Sequence, residues 1–202
     1  MSMKTKIAGK NEISKIAGVL VKGGVIVYPT ETSYGIGADA LNKKAILKVH
    51  KVKKQATSKP ISIIVPDIKI AKKFGNLDKG AERLVKKFMP GPLTLIVKKR
   101  KTVPNSLSRK TIAFRISSNK TAHAISKKFN GGITATSANI HGKPAIYSFR
   151  EALKVFEGKV DLIVDAWNLP KRNASTIYDF AGRKLIRKGQ IGEKEILKAI
   201  GG

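Results

Sequence analysis

The chain has 202 residues, 42% of them hydrophobic, which suits a folded globule and excludes a disordered tail. Lysine and arginine number 41 against 13 aspartates and glutamates, a formal net charge of +28, so the surface attracts polyanions: RNA, nucleotides or anionic membranes. The absence of cysteine excludes disulfides, thiol nucleophiles and thiolate metal sites.

The N-terminal ten residues lack the apolar segment of a signal peptide, and no apolar run approaches the ~18 residues that span a bilayer, so a soluble cytoplasmic protein without membrane contact is expected. Ile13, Ile16, Ala17, Leu20 and Val21 repeat at helical spacing until Gly23-Gly24 stops them. The apolar run Val25 to Tyr28 reads as a buried strand that ends at Pro29. It feeds a loop of hydroxyls (Thr30, Thr32, Ser33), one acid (Glu31), one aromatic (Tyr34) and two glycines (Gly35, Gly37). Asn42 caps a helix through about Lys53, with Ile46, Val49 and His50 on one face. A polar stretch, Lys54 to Lys59, leads into a strand over Ile61 to Val65. Asp67 and Asp78 cap two further helices, the second broken by Met89-Pro90-Gly91-Pro92.

Leu93 to Val97 and Ile112 to Ile116 read as strands. Asn119 to Phe129 reads as a helix closed by Gly131-Gly132, and Ile133 to Thr136 as a short strand entering a polar loop. A helix over Ser148 to Phe156, a strand over Leu162 to Val164, and a hairpin of Ser175 to Tyr178 with Lys184 to Ile186 around Ala181-Gly182 follow. A helix over Glu193 to Ile200 comes last. This alternation predicts one α/β domain over 1–202 with a mixed sheet, because sequence-adjacent strands and a late hairpin do not suit an all-parallel one.

Four polar clusters stand out, each read at a strand end: residues 28–32, 53–59, 136–139 and 173–176. Arg115 and Arg187 fall at the ends of other strands. Hydroxyls, amides, a lysine and arginines together suit an anionic ligand, since arginine binds phosphate or carboxylate through a fork and lysine acts as a point charge. No G-x-x-x-x-G-K-[ST] loop, dinucleotide fingerprint, H-E-x-x-H pair or G-x-S-x-G elbow is present, and the histidines His50, His123 and His141 are scattered. A cationic site without a nucleophile or general base fits transfer chemistry at a nucleotide phosphate, which asks for positioning and charge neutralisation.

Taken jointly, the segments resemble the YrdC/Sua5 family. The likeness rests on Y-P-T-E-T-S-Y-G-I-G (28–37), K-x-x-x-x-x-K-P-I (53–61), M-P-G-P-L-T-L-I (89–96), I-A-F-R (112–115), T-S-A-N-I-H-G-K-P (136–144), D-L-I-V-D (161–165), A-S-T-I-Y-D (174–179) and L-I-R-K-G-Q-I (185–191). The resemblance implies a twisted open α/β sheet around a large positively charged concavity. It also implies a threonylcarbamoyl-AMP synthase that uses L-threonine, bicarbonate and ATP, with Mg2+ held mainly by the phosphates and no dedicated metal site. A t6A transferase complex would then pass the group to adenosine 37 of tRNA.

Carried onto matching positions, Thr30, Thr32, Arg115 and Ser175 would bind threonine. Lys53, Lys59, Ser137, Asn139 and Arg187 would bind the nucleotide, with Lys53, Ser137 and Asn139 as the catalytic set. Two positions depart from the family pattern: Gln55 stands where the family's Lys-x-Arg motif has arginine, and Ile64 where many members have histidine. The alternative is a YrdC-fold protein that grips double-stranded RNA or tRNA through its basic surface with weak or no adenylation. Carbamate adenylation for another acceptor, as in the YrdC-like part of hydrogenase-maturation carbamoyltransferases, ranks last, since no acylphosphatase or zinc-binding segment is visible.

Overall fold

Short apolar runs form eleven strands and amphipathic runs form seven helices over residues 4–201, the part described by the computed structural model. The strands divide between two mixed sheets. The first runs, in spatial order, β1 (Lys6–Gly9), β9 (Leu162–Asp165), β2 (Ile26–Pro29), β3 (Tyr34–Gly37) and β8 (Thr136–Ser137). The second runs β11 (Lys184–Arg187), β10 (Thr176–Asp179), β5 (Leu93–Lys98), β6 (Thr111–Arg115), β4 (Ile63–Ile64) and β7 (Ile133–Thr134).

Strand β2 illustrates why these sequences fold as they do. Every residue from Val25 to Pro29 is buried. Val25 and Val27 point into the larger apolar cluster, Ile26 and Tyr28 into a smaller one, as a period of two on a doubly covered strand requires. The smaller cluster is closed by Ile16 and Leu20 of α1 (Ile13–Val21) and by Ala122 and Ile125 of α5 (Lys120–Phe129).

Helices α2 (Lys43–Lys53), α3 (Ile68–Phe74), α4 (Lys79–Phe88) and α6 (Phe149–Phe156) begin where a side chain can accept a backbone N–H. The Asn42, Asp67, Asp78 and Ser148 side chains accept from Ala45, Ile70, Ala81 and Glu151, and Asn119 does the same for α5. Helix α7 (Glu193–Gly201) packs against α4. No helix among the described residues is long and apolar enough to cross a membrane.

Several local expectations change. Tyr34–Gly37 is not loop: it forms β3, antiparallel to β2, and turns the polar run 30–33 into a hairpin turn. Its glycines answer to packing, since a Cβ on Gly37 would fall 2.7 Å from Tyr28 Cε1 and 2.8 Å from Ile133 Cγ2. The left-handed residue that ends α5 is Asn130 (φ 54°), and Gly132 instead makes room for Phe74, whose Cζ would lie 2.5 Å from an added Cβ. The strand read over 61–65 shrinks to Ile63–Ile64. The strand β1, Lys-Ile-Ala-Gly, carries no apolar run of its own. It forms by pairing in parallel with β9, more than 150 residues away.

Between β7 and β8 the chain passes from one sheet to the other over a single residue. Thr134 pairs with Ile63 in the second sheet and Thr136 with Ile36 in the first. Ala135 between them donates its N–H to Ser62 O (2.7 Å) and accepts from Ser62 Oγ (2.7 Å). This switch sets the 136–139 loop beside the β2–β3 turn and the C-terminal ends of β6 and β11.

Candidate active site

A cavity of about 500 Å3 opens between the two sheets. Its walls include Thr30 and Thr32 from the β2–β3 turn, Arg115 from the end of β6, Ser137 from β8, Ser175 just before β10 and Arg187 from the end of β11. Six of the residues singled out in sequence thus share one hollow. A hollow of about 590 Å3 elsewhere, between α7 and the β10–β11 hairpin, carries none of them and is walled largely by apolar groups such as Leu77, Phe180, Leu197 and Ile200.

The β2–β3 turn is tight because Thr30 closes it twice. Its N–H donates to Ser33 O (3.0 Å) and its hydroxyl to the same oxygen (2.7 Å). The Thr30 hydroxyl proton is therefore committed, and Thr32 Oγ1, 3.4 Å away, is the freer hydroxyl. Ser175 is buried and held on both sides: its Oγ lies 2.9 Å from Thr94 Oγ1 and accepts from an Arg187 terminal nitrogen at 3.1 Å. Arg187 Nε donates to Ser175 O at 2.9 Å. Burial, then the charge of neighbouring Arg115, lowers the pKa of Arg187, as expected for two guanidiniums sharing one hollow.

Lys53 and Asn139 stand behind the Ser137 wall. Lys53 is the last residue of α2, not part of a strand-end loop, and its Nζ donates to Ser137 O (2.5 Å), Asn139 O (3.0 Å) and Asn139 Oδ1 (2.9 Å). Asn139 Oδ1 also accepts from Ser137 Oγ at 2.6 Å, while its amide nitrogen donates to Lys143 O. Burial, then the charge of Lys59, pulls the Lys53 pKa down to about 8. Its three acceptors match the three hydrogens of an ammonium. Lys59 is not among the cavity walls: it is exposed, with Nζ 3.4 Å from His141 Nδ1.

The departure at position 55 has a structural account. Gln55 Nε2 lies 3.1 Å from His50 Nδ1, and His50 Nε2 lies 2.9 Å from Ser106 O. An amide donor and a carbonyl acceptor fix the neutral Nε2–H tautomer of a histidine that is almost fully buried. Gln55 thus braces α2 against the 100–108 loop and turns away from the cavity.

Glu31 and Ser117 carry more than their residue types suggested. Glu31 Oε1 lies 2.9 Å from Arg115 Nε, with both side chains nearly buried, and Ser117 Oγ donates to Glu31 Oε2 at 2.6 Å. The Nε–H is not aimed at Oε1, so charge rather than an aligned hydrogen bond holds the pair. The sequence signal was a lone acid in a polar cluster of a chain so poor in acids; Ser117 gave none. Among the described residues no group of three or more histidines, aspartates or glutamates is placed to hold a metal. No carboxylate lines the cavity, and Glu31 beside it is already engaged by Arg115 and Ser117, so the donor set does not fit a protein-held Mg2+.

Residues 18–189 match the profile of the Sua5/YciO/YrdC family, described as telomere recombination. The chain belongs to the Sua5/YciO/YrdC family. A Methanocaldococcus jannaschii member, named provisionally as a threonylcarbamoyl-AMP synthase, is 34% identical over 202 residues, covering 95% of this chain and 96% of its own. The Pyrococcus abyssi threonylcarbamoyl-AMP synthase is 33% identical over 92% of this chain, which spans 56% of that protein's length. Among solved Sua5/YciO/YrdC structures, P. abyssi Sua5 with L-threonine superposes with a TM-score of 0.87 at 30% identity, over all of this chain and 61% of that one. E. coli YciO superposes with a TM-score of 0.82 at 27% identity, over 97% and 100%. Likeness to full-length HypF, at 19% identity, concerns the fold alone.

Proposed function

We propose that this protein is a threonylcarbamoyl-AMP synthase, a nucleotidyltransferase joining L-threonine, bicarbonate and ATP. One observation carries the reading most: hydroxyls and guanidiniums from both sheets (Thr30, Thr32, Arg115, Ser137, Ser175, Arg187) face a single hollow backed by Lys53 and Asn139. The relatives named for this synthase, and the Sua5 that holds L-threonine, support it.

The threonine amine adds to the bicarbonate carbon, and loss of water leaves a carbamate. A carbamate oxygen then attacks the α-phosphorus of ATP, the bond to the β-phosphate oxygen breaks, and pyrophosphate departs. In this reading Thr32, Ser175 and Arg115 hold the amino acid, and Ser137, Asn139, Lys53 and Arg187 hold the nucleotide. Lys59, exposed outside the cavity, has no part in this reading. The protein contributes alignment and fixed positive charge, which is most of what phosphoryl chemistry requires. Any Mg2+ arrives with the phosphates, which suits its preference for keeping water and phosphate ligands.

The acceptor beyond the adenylate is tRNA, reached through a t6A transferase complex in the cytoplasm. The net charge of +28 favours passage near RNA. A purely RNA-gripping role has less support, because the cavity keeps a full set of polar groups that such a role does not need. The test is release of pyrophosphate by purified protein. It should depend on both L-threonine and bicarbonate, and a rate unchanged by omitting threonine would defeat the reading.

A further inference from the structure

We infer that Arg172 is a specificity-determining residue that grips the carboxylate of the amino-acid substrate; the inference rests on the reading of this cavity as an amino-acid and nucleotide site. Arg172 lies on the loop between β9 and β10 and lines the 500 Å3 cavity with Thr30, Thr32, Tyr147 and Ser175. It also lines an adjoining hollow of about 310 Å3 with Thr30, Glu31 and Lys120. The two hollows share Thr30 and Arg172, so Arg172 stands at the Thr30 end of the site.

Charge accounting at that end singles it out. Arg115 is there, but Glu31 is 2.9 Å from its Nε and nearly buried with it, so the two together are neutral. Arg187 is tied to Ser175 by two hydrogen bonds. A carboxylate placed against a neutral, desolvated pair would leave a net negative charge in a poorly solvated spot. Arg172 has no hydrogen bond or ion pair to any described residue, and its side chain is exposed at the rim. It is the cavity-lining cation whose whole fork is free to take a carboxylate through two parallel hydrogen bonds. The carbamate form of the substrate carries two negative groups, which raises the demand for a cation that Glu31 has not already neutralised.

The test titrates L-threonine, and L-threoninol as the same skeleton without the carboxylate, into wild type, Arg172→Ala and Arg172→Lys by calorimetry, beside pyrophosphate assays. Arg172→Ala should weaken threonine binding and raise its KM about tenfold to hundredfold, the range for one charged hydrogen-bonding pair. The KM for ATP, the affinity for threoninol and the thermal midpoint should stay at wild-type values, and lysine should restore part of the loss. Unchanged threonine affinity in Arg172→Ala, or equal losses for threonine and threoninol, would overturn the assignment. Wild type that binds threonine yet releases no pyrophosphate would sink the synthase reading while calorimetry still decides the role of Arg172. Wild type that binds no threonine would end both.

Discussion

Glu31 Oε1 and Arg115 Nε meet at 2.9 Å across the gap between the two sheets, one side chain from the β2–β3 turn and the other from the end of β6. Both are nearly buried, and Ser117 holds the second carboxylate oxygen at 2.6 Å. The pair therefore clamps the sheets together beside the cavity and sets where the remaining nitrogens of Arg115 sit.

Removing one partner strands the other. Glu31→Gln keeps the shape and deletes the charge, so stability should fall by about 3 kcal/mol, the lower range for breaking a buried pair. Pyrophosphate release should fall with it, through a higher KM for threonine. Adding Arg115→Met should recover most of the thermal midpoint without recovering activity. A double variant no more stable than the single one would show that the pair acts independently of its charge.

Lys53 makes the site sensitive to alkali. Burial holds its folded pKa near 8, below the 10.5 of an exposed lysine. The sign is that of a depressed base: its charge opposes folding below about pH 8, and that opposition fades as pH rises towards 10.5. The nucleotide role proposed for it runs the other way, since only the charged ammonium can neutralise a nearby phosphate. The value of kcat/KM for ATP should therefore decline as pH rises through about 8, and Lys53→Arg should shift or remove that limb. Lys53→Ala should abolish pyrophosphate release at every pH, because it also leaves Asn139 O without its donor and takes one donor each from Ser137 O and Asn139 Oδ1. A flat profile from pH 7 to 9.5 in the wild type would contradict this role.

Gln55→Arg trades one function for another. The arginine restores a cation at the family's motif position and should raise the pyrophosphate rate severalfold. It also loses the hydrogen bond to His50 Nδ1, so stability should fall by about 1 kcal/mol. Kinetics and denaturant titration on the same sample read both effects, and a rate no higher than wild type would mean that side chain 55 does not reach the phosphates.

Two glycines should respond in opposite ways to alanine. A Cβ on Gly189 would come 2.4 Å from Thr176 N and 2.5 Å from Ala174 O, backbone atoms that cannot move aside cheaply. Gly189→Ala should destabilise by about 3 kcal/mol and distort the Ser175–Arg187 wall. Gly18, inside α1, has nothing within 4 Å of the added carbon, so Gly18→Ala should stabilise by about 0.5–1 kcal/mol. Thermal unfolding of both variants tests the contrast.

Helix positions and caps were legible along the chain because they follow from contacts three or four residues apart. Asn42, Asp67 and Asp78 each cap as their spacing from the next apolar face implies, and Asn119, read as the first residue of its helix, caps it instead. The cavity lining was legible in part: the hydroxyl and cationic clusters supply Thr30, Thr32, Arg115, Ser137, Ser175 and Arg187, whereas Lys53 and Asn139 stand behind the wall and Lys59 lies outside it. Those clusters come from segments up to 157 residues apart in sequence, Thr30 to Arg187, so their convergence waited on the pairing of distant strands.

Composition and local spacing alone were enough to specify a basic α/β protein, its helices, and the polar clusters from which a nucleotide site could be built. The fold settled what those signals leave open: that 34–37 is a strand, that Glu31 neutralises Arg115, that Gln55 turns to His50, and that Lys53 reaches Ser137 and Asn139. Local propensity acts within a turn or two of chain. Charge pairing and burial act through space, and residues such as Glu31 and Arg115, 84 positions apart, acquire their partners only once the two sheets close.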